Sequence, residues 1–182
     1  MPPRALRKTK KCSFADHLSR AQIKLLKSKG ERISHLVSQL QGEAVASSAI
    51  SDNPFYRGFF QCWNEQRYYE AHDVLEQLWL KAKSEDANFF KGLIQAAGAF
   101  VHLQKQFQHP THPKHGRRLS PAVRLFRLAE QNLERFAPVR HGLDVAALRS
   151  KLRAHAEIIV ASRYEVNPWS PVTAPKLTLD VG

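Results

Sequence analysis

Apolar residues recur at spacings of three and four along most of this chain, the period of an amphipathic helix rather than a strand. Phe14, Leu18, Ala21 and Leu25 line one face after Ser13, a suitable N-cap. Gly30 is expected to end that helix. Ile33, Leu36, Val37 and Leu40 mark a second one, so residues 13–42 read as an N-terminal helical hairpin. The stretch GEAVASSAISDNP is small and polar and reads as a linker. A main helical domain is expected over residues 53–163. Its first helix runs from Pro54 with Phe55, Phe59, Phe60 and Trp63 on one face. A second runs from Tyr68 to about Lys83, and a third from Asp86 to about Phe107. Ser120 and Pro121 open the fourth as cap and first-position proline, and Ala122, Leu125, Phe126, Ala129, Leu133 and Phe136 carry its stripe until Pro138. The last starts near Asp144 with Val145, Leu148, Leu152 and Ile159. Residues 164–182 form a proline-punctuated, extended tail that Trp169 would anchor. No strand-like alternation stands out. The fold class is all-α, an irregular helical bundle.

Within this pattern, YYEAHDVLEQLW carries a histidine at an apolar position. On a helical wheel centred on Leu75, Tyr68, Ala71, Leu78, Trp79 and Ala82 fall within about 60° of the centre, the width of a buried stripe. His72 sits at the stripe's edge with Glu76 one turn along, while Glu70 and Asp73 point away. The next helix is apolar nearly all round, with Phe90, Leu93, Ile94, Ala97, Phe100 and Val101 on one face. The other face holds Gly92, Gln95, Gly98, Ala99 and His102. Each interior glycine costs about 1 kcal/mol against alanine, so two of them imply close approach of another helix. That would bury Gln95 and His102, which then need partners. His72, Glu76, Gln95 and His102 are thus candidates for one cluster between helices. The preferred reading is a structural hydrogen-bonded network. The other is a divalent-metal site, zinc for example, held by His72, Glu76 and His102.

These residues also carry a resemblance. The aromatic-Glu-Ala-His-acid-x-x-Glu-x-x-Trp pattern, followed on the next helix by Gly-Leu-Ile-Gln and a histidine, is similar to the signature of domain of unknown function family 309. Glu70, His72, Glu76 and Trp79 match its first motif, and Gly92, Gln95 and His102 its second. The similarity runs from about Pro54 to Phe136. It implies an all-helical fold and no established activity, and it adds Glu70 to the candidate cluster, facing a helix on its other side such as the one from Pro54. Two features depart from the pattern: NEQR stands in the turn where a glycine is common, and the loop between the third and fourth helices is long and histidine-rich.

That loop, FQHPTHPKHGRRL, spaces His109, His112 and His115 three apart among prolines. In polyproline II form the rings would stand roughly 9 Å apart, too far for one zinc, so an exposed loop with incidental metal affinity is expected. His155 reads as a satisfied histidine on the seam of the last helix.

Charge adds a polyanion reading. Lys and Arg exceed Asp and Glu by 12. The excess gathers in a basic, disordered arm over residues 1–12, in the stripe Arg20, Lys24 and Lys27, and around Arg117 and Arg118, Arg124 and Arg127. RNA or ribosome binding would need base-stacking aromatics beside this charge, and the aromatics fall on predicted core faces. Only Cys12 and Cys62 occur, in unrelated contexts, which fits a reducing cytoplasm. No apolar run approaches the ~20 residues of a membrane helix. Phosphate loops, dinucleotide fingerprints and nucleophile elbows are absent. The expectation is a non-catalytic interaction domain whose partner, a protein or RNA, the sequence does not identify, its cluster structural. The alternatives are a metal-dependent hydrolase, with Glu70 as general base, and an electrostatic RNA binder.

Overall fold

The computed structural model describes residues 29–42, 49–82 and 84–180. The basic arm, the first helix of the hairpin with Arg20, Lys24 and Lys27, and residues 43–48 of the linker lie outside them. The fold is all-α. Six helices are described: α1 (Lys29–Gly42), α2 (Pro54–Asn64), α3 (Tyr68–Trp79), α4 (Ser84–Gln108), α5 (Leu119–Leu133) and α6 (Val145–Ala161). Gly30 lies in the first turn of α1, and the helix expected before it falls outside the described residues. Asn53 starts α2 by accepting from the Phe55 and Tyr56 amides, with Pro54 at the first position. Helix α3 is shorter than its apolar period predicts, because the turn after Trp79 closes at Leu80 to Ala82.

Helix α4 occupies the centre, between α3 and α5. A Cβ on Gly92 would stand 2.7 Å from Leu133 Cγ and 3.3 Å from the Ala129 carbonyl oxygen, and one on Gly98 would meet Leu125 at 3.3 Å. The two glycines are therefore where α5 lies down on α4. On the other side Phe100 stacks with Tyr68 of α3 (centroids 5.2 Å apart) and meets Trp63 of α2 edge-on at 5.0 Å. Phe90, Leu93, Ala97 and Phe100 are buried, as the wheel requires.

One small hairpin breaks the helical pattern, β1 (Val139–Arg140) against β2 (Leu143–Asp144). Strands of two residues are too short to show alternation. His141 (φ 49) and Gly142 (φ 75) turn it, both in the left-handed region that tight two-residue hairpins demand. Gly142 has a second reason, since a Cβ would meet the Asp180 carbonyl oxygen at 2.3 Å. The tail reaches that point by strapping across the bundle. Asn167 donates to the Leu103 carbonyl, Trp63 Nε1 to the Pro175 carbonyl, and Asn64 exchanges two bonds with Leu177. Trp169 is the anchor, 2% exposed, with its Nε1–H on the Tyr68 hydroxyl at 3.2 Å.

Replacing Gly92 with alanine should cost about 1–3 kcal/mol in urea unfolding despite the helix propensity gained, because Leu133 and the Ala129 carbonyl must move. Gly42→Ala, where a Cβ meets nothing within 4 Å, serves as the control and should be near neutral. Equal effects of the two would contradict close packing of α5 on α4 at Gly92.

Candidate functional site

The motif side chains project from α3 and α4 in different directions. His72 and Glu76 do share a face of α3, both half-buried, but the group that joins them is Asp73 rather than His102. His72 Nδ1 lies 2.9 Å from Asp73 Oδ1, and the three side chains can bring one ligand atom each within 4.8 Å of one another. Tyr69 stacks beside the imidazole at a centroid distance of 6.5 Å. His102 is not a member of that group.

Gln95 and His102 face α5 instead, the side that the glycines open. Asn132 Nδ2–H donates to Gln95 Oε1 at 2.7 Å across the α4–α5 seam. His102 Nδ1 lies 3.5 Å from Arg118 Nη1 at the start of α5. A guanidinium only donates, so His102 Nδ1 is the acceptor and the ring is neutral. Burial, and then the charges of Arg118, Lys105 and Arg124, hold its pKa down to about 4. The expected single cluster is thus resolved into separate pairs. A wheel gives the face of each residue but not which neighbouring helix covers that face, and α4 is covered on two.

Glu70 is 9% exposed, although an isolated wheel turns it to solvent. Arg32 Nε of α1 stands 3.7 Å from its carboxylate, with Arg67 Nε at 4.0 Å, and its charge also reaches the Cys62 thiol of α2. Val74, one turn on, is buried with Leu40 and Phe55. Helix α1 therefore gives α3 a second buried face. Trp79 is half-buried at the edge of the main core.

Residues 56–110 match the family model of a domain of unknown function, DUF309. No curated protein and no solved structure matches the chain. The DUF309 match covers less than half of the sequence and ends short of Phe136. It contains both motifs but neither Asn132 nor Arg118, so two of the motif side chains complete their bonds outside the matched residues.

An open cavity of about 370 Å³ lies over the α4–α5 seam, lined by Gln95 and Asn132 with Lys91, Glu134 and Arg135. Gln95 is the one motif residue in it. The histidine loop departs from the extended form expected. The His112 amide donates to the His109 carbonyl and the Gly116 amide to the His112 carbonyl, and the ring centroids of His109, His112 and His115 stand 4.5–6.4 Å apart. His112 Nδ1 accepts from the Lys114 and His115 amides, and His115 Nδ1 from Arg118 Nη2 at 3.1 Å, so both atoms are already occupied as acceptors. Arg117 is exposed and Arg118 half-buried. His155 donates Nδ1–H to the Lys151 carbonyl and lies against Phe100 and Phe126, a satisfied seam residue as expected.

Sequence reasoning missed one polar group altogether. Asp86, in the first turn of α4, accepts from His141 Nε2 (2.9 Å) and from Arg140 Nη2 (2.7 Å) on the hairpin. Burial raises its pKa, but the hydrogen bonds and charges of His141 and Arg140 outweigh this and leave it below the ordinary value. Tyr56, fully buried beside His141, is pushed up by burial and then by the Asp86 charge. No local pattern joins partners this far apart in the chain. Only the position of Asp86 at a helix N-terminus, where an acid is favourable, was visible. The Cys62 thiol is also buried and raised to about 11 by that burial, which removes it as a nucleophile at neutral pH.

Two expectations follow. Folded His102 takes its proton near 4 and the unfolded chain near 6.5, so the stabilisation present above 6.5 is lost as pH falls toward 4. Urea midpoints at pH 7 and pH 5 should differ more in wild type than in His102→Gln; an unchanged difference would refute this assignment. Asp86→Ala strips the partner from Arg140 and His141 and should lower stability by about 2 kcal/mol. A loss below ~0.5 kcal/mol would mean that the hairpin is held some other way.

Proposed function

We propose that this chain is a non-catalytic helical interaction domain whose motif side chains fasten helices together. One observation carries the reading: Gln95, His102 and Glu70 end on three different neighbours, Asn132, Arg118 and Arg32. A reaction centre needs its groups to converge on one space that substrate can enter. Here the polar groups are spread over separate contacts between helices, each suited to setting register and spacing. The cavity over Gln95 admits solvent but offers neither His72 nor His102. A cytoplasmic setting belongs to this proposal, supported by the unpaired, buried Cys62. Among the described residues no helix is long and apolar enough to cross a membrane.

The second reading, a metal-dependent hydrolase, is favoured by the convergence of His72, Asp73 and Glu76 on α3. An imidazole with two carboxylates is a fair donor set for zinc or a related divalent cation. Against it, all three come from one turn of one helix and are half-exposed, and His72 is engaged with Asp73.

Metal content of protein purified without chelator separates the two readings. The binding-domain reading expects no stoichiometric metal. It also expects His72→Ala to cost no more than about 1 kcal/mol, since the histidine sits at a half-open edge. One equivalent of metal that disappears in His72→Ala would replace this reading with the hydrolase.

A further inference from the structure

Between Asp86 and Glu130 the sequence contains no acidic residue. The fold gathers the positive charge of this stretch at the corner where α4 ends and α5 begins. Arg118 organises the corner. Its amide donates to Gln106 Oε1 at 2.7 Å, and its guanidinium reaches His115 Nδ1 at 3.1 Å and His102 Nδ1 at 3.5 Å. Both partners are neutral imidazoles, so they hold the guanidinium in place without cancelling its charge. Its Nε–H is buried with no acceptor. Arg57, Arg140, Arg149 and Arg153 all lie against carboxylates. Lys105, Arg117, Arg118 and Arg124 have no carboxylate within salt-bridge distance among the described residues. A half-buried guanidinium among cations without carboxylate partners suits an anion with several acceptor oxygens, which is the chemistry of a phosphate.

The second observation is exposed ring surface on the last turn of α4 and in the loop that follows it. Phe107 is 47% exposed, held edge-on by buried Trp169 at a centroid distance of 5.4 Å. Beside it the loop presents His109 and His112, both exposed, with the His112 and His115 rings stacked at 4.5 Å. An acidic peptide would use the cations and leave the rings idle. A duplex hides its base faces within its own stack. An unpaired strand offers phosphates and open base faces together, and aromatic rings beside a cationic track match both.

We propose that the α4–α5 corner binds single-stranded nucleic acid, with phosphates on Arg117, Arg118, Lys105 and Arg124 and bases stacked on Phe107 and the histidine rings. This deepens the binding-domain reading by naming the partner, and it rests on that reading. The Arg118 guanidinium, oriented by the His102 and His115 rings, fixes where the strand's backbone lies. The exposed Arg117 and Arg124 supply long-range attraction, and the rings discriminate against duplex.

Anisotropy titration of the full chain against a labelled single-stranded RNA of about a dozen nucleotides tests this. Wild type should bind, and Arg117→Gln/Arg124→Gln, two exposed positions, should bind about tenfold more weakly, with a salt slope shallower by about 1.4. Phe107→Ala should weaken binding several-fold and leave the salt slope unchanged. A duplex of the same sequence should bind less tightly than the single strand. Circular dichroism and melting temperature establish that each variant is folded. No binding, or binding untouched by the arginine pair, would overturn the assignment, the latter placing affinity elsewhere on the chain. Duplex equal to single strand, with Phe107→Ala silent, would overturn it in favour of a simple polyanion surface. A stoichiometric metal with hydrolytic turnover would defeat the binding-domain reading, whereas a failed titration defeats only this assignment.

Discussion

A Cβ at Gly92 would lie 2.7 Å from Leu133 Cγ, and that missing atom sets the distance between α4 and α5. With any larger residue there, α5 would stand off from α4. The short cross-helix bond from Asn132 to Gln95 and the approach of Arg118 to His102 both require the closer spacing. Glycine weakens the helix by about 1 kcal/mol, and the packing of α5 against its face offsets that loss. The same spacing carries further consequences. It brings the end of α4 and the start of α5 together, where the histidine loop must turn. It also leaves the opposite face of α4 free for α3, whose Tyr68 stacks on Phe100 and receives the Trp169 indole from the tail.

Two of the motif side chains, Glu70 and Gln95, lie on seams between helices, and each has a polar partner there. Glu70 relates α3 to α1 through Arg32, and Gln95 relates α4 to α5 through Asn132. Asp86, outside the motifs, relates the start of α4 to the hairpin through Arg140 and His141. Hydrophobic burial holds these helices together but is non-directional, so it fixes register poorly. Directional bonds with short reach select one register among many of similar apolar area.

Much of the fold was legible in the sequence because burial on an amphipathic helix leaves a period. The stripes through Phe59 and Trp63, Leu148 and Leu152, and Ala122 and Phe126 are buried as that period requires. The two glycines of α4 announced a close neighbour for the same physical reason. What could not be read was which neighbour. Glu70 seemed solvent-facing on a wheel because the wheel knows nothing of α1. His72 and His102 seemed able to meet because both sit on polar edges of adjoining helices, yet α3 and α5 cover α4 from different sides. The hairpin escaped notice since strands of two residues are defined by their turn, His141–Gly142, and by contact with the tail. Polyproline geometry misjudged the histidine loop, where amide bonds to the His109 and His112 carbonyls fold the backbone back.

The central claim is that Gln95 belongs with Asn132 and not with His72. Double-mutant cycles on unfolding free energy address it directly, because coupling appears between groups in contact and vanishes between distant ones. Gln95→Ala combined with Asn132→Ala should show a coupling of about 1 kcal/mol. Gln95→Ala combined with His72→Ala should be additive within about 0.3–0.5 kcal/mol. The reverse pattern, with Gln95 coupled to His72 and indifferent to Asn132, would restore the single shared cluster and contradict the division of these side chains among separate helix seams.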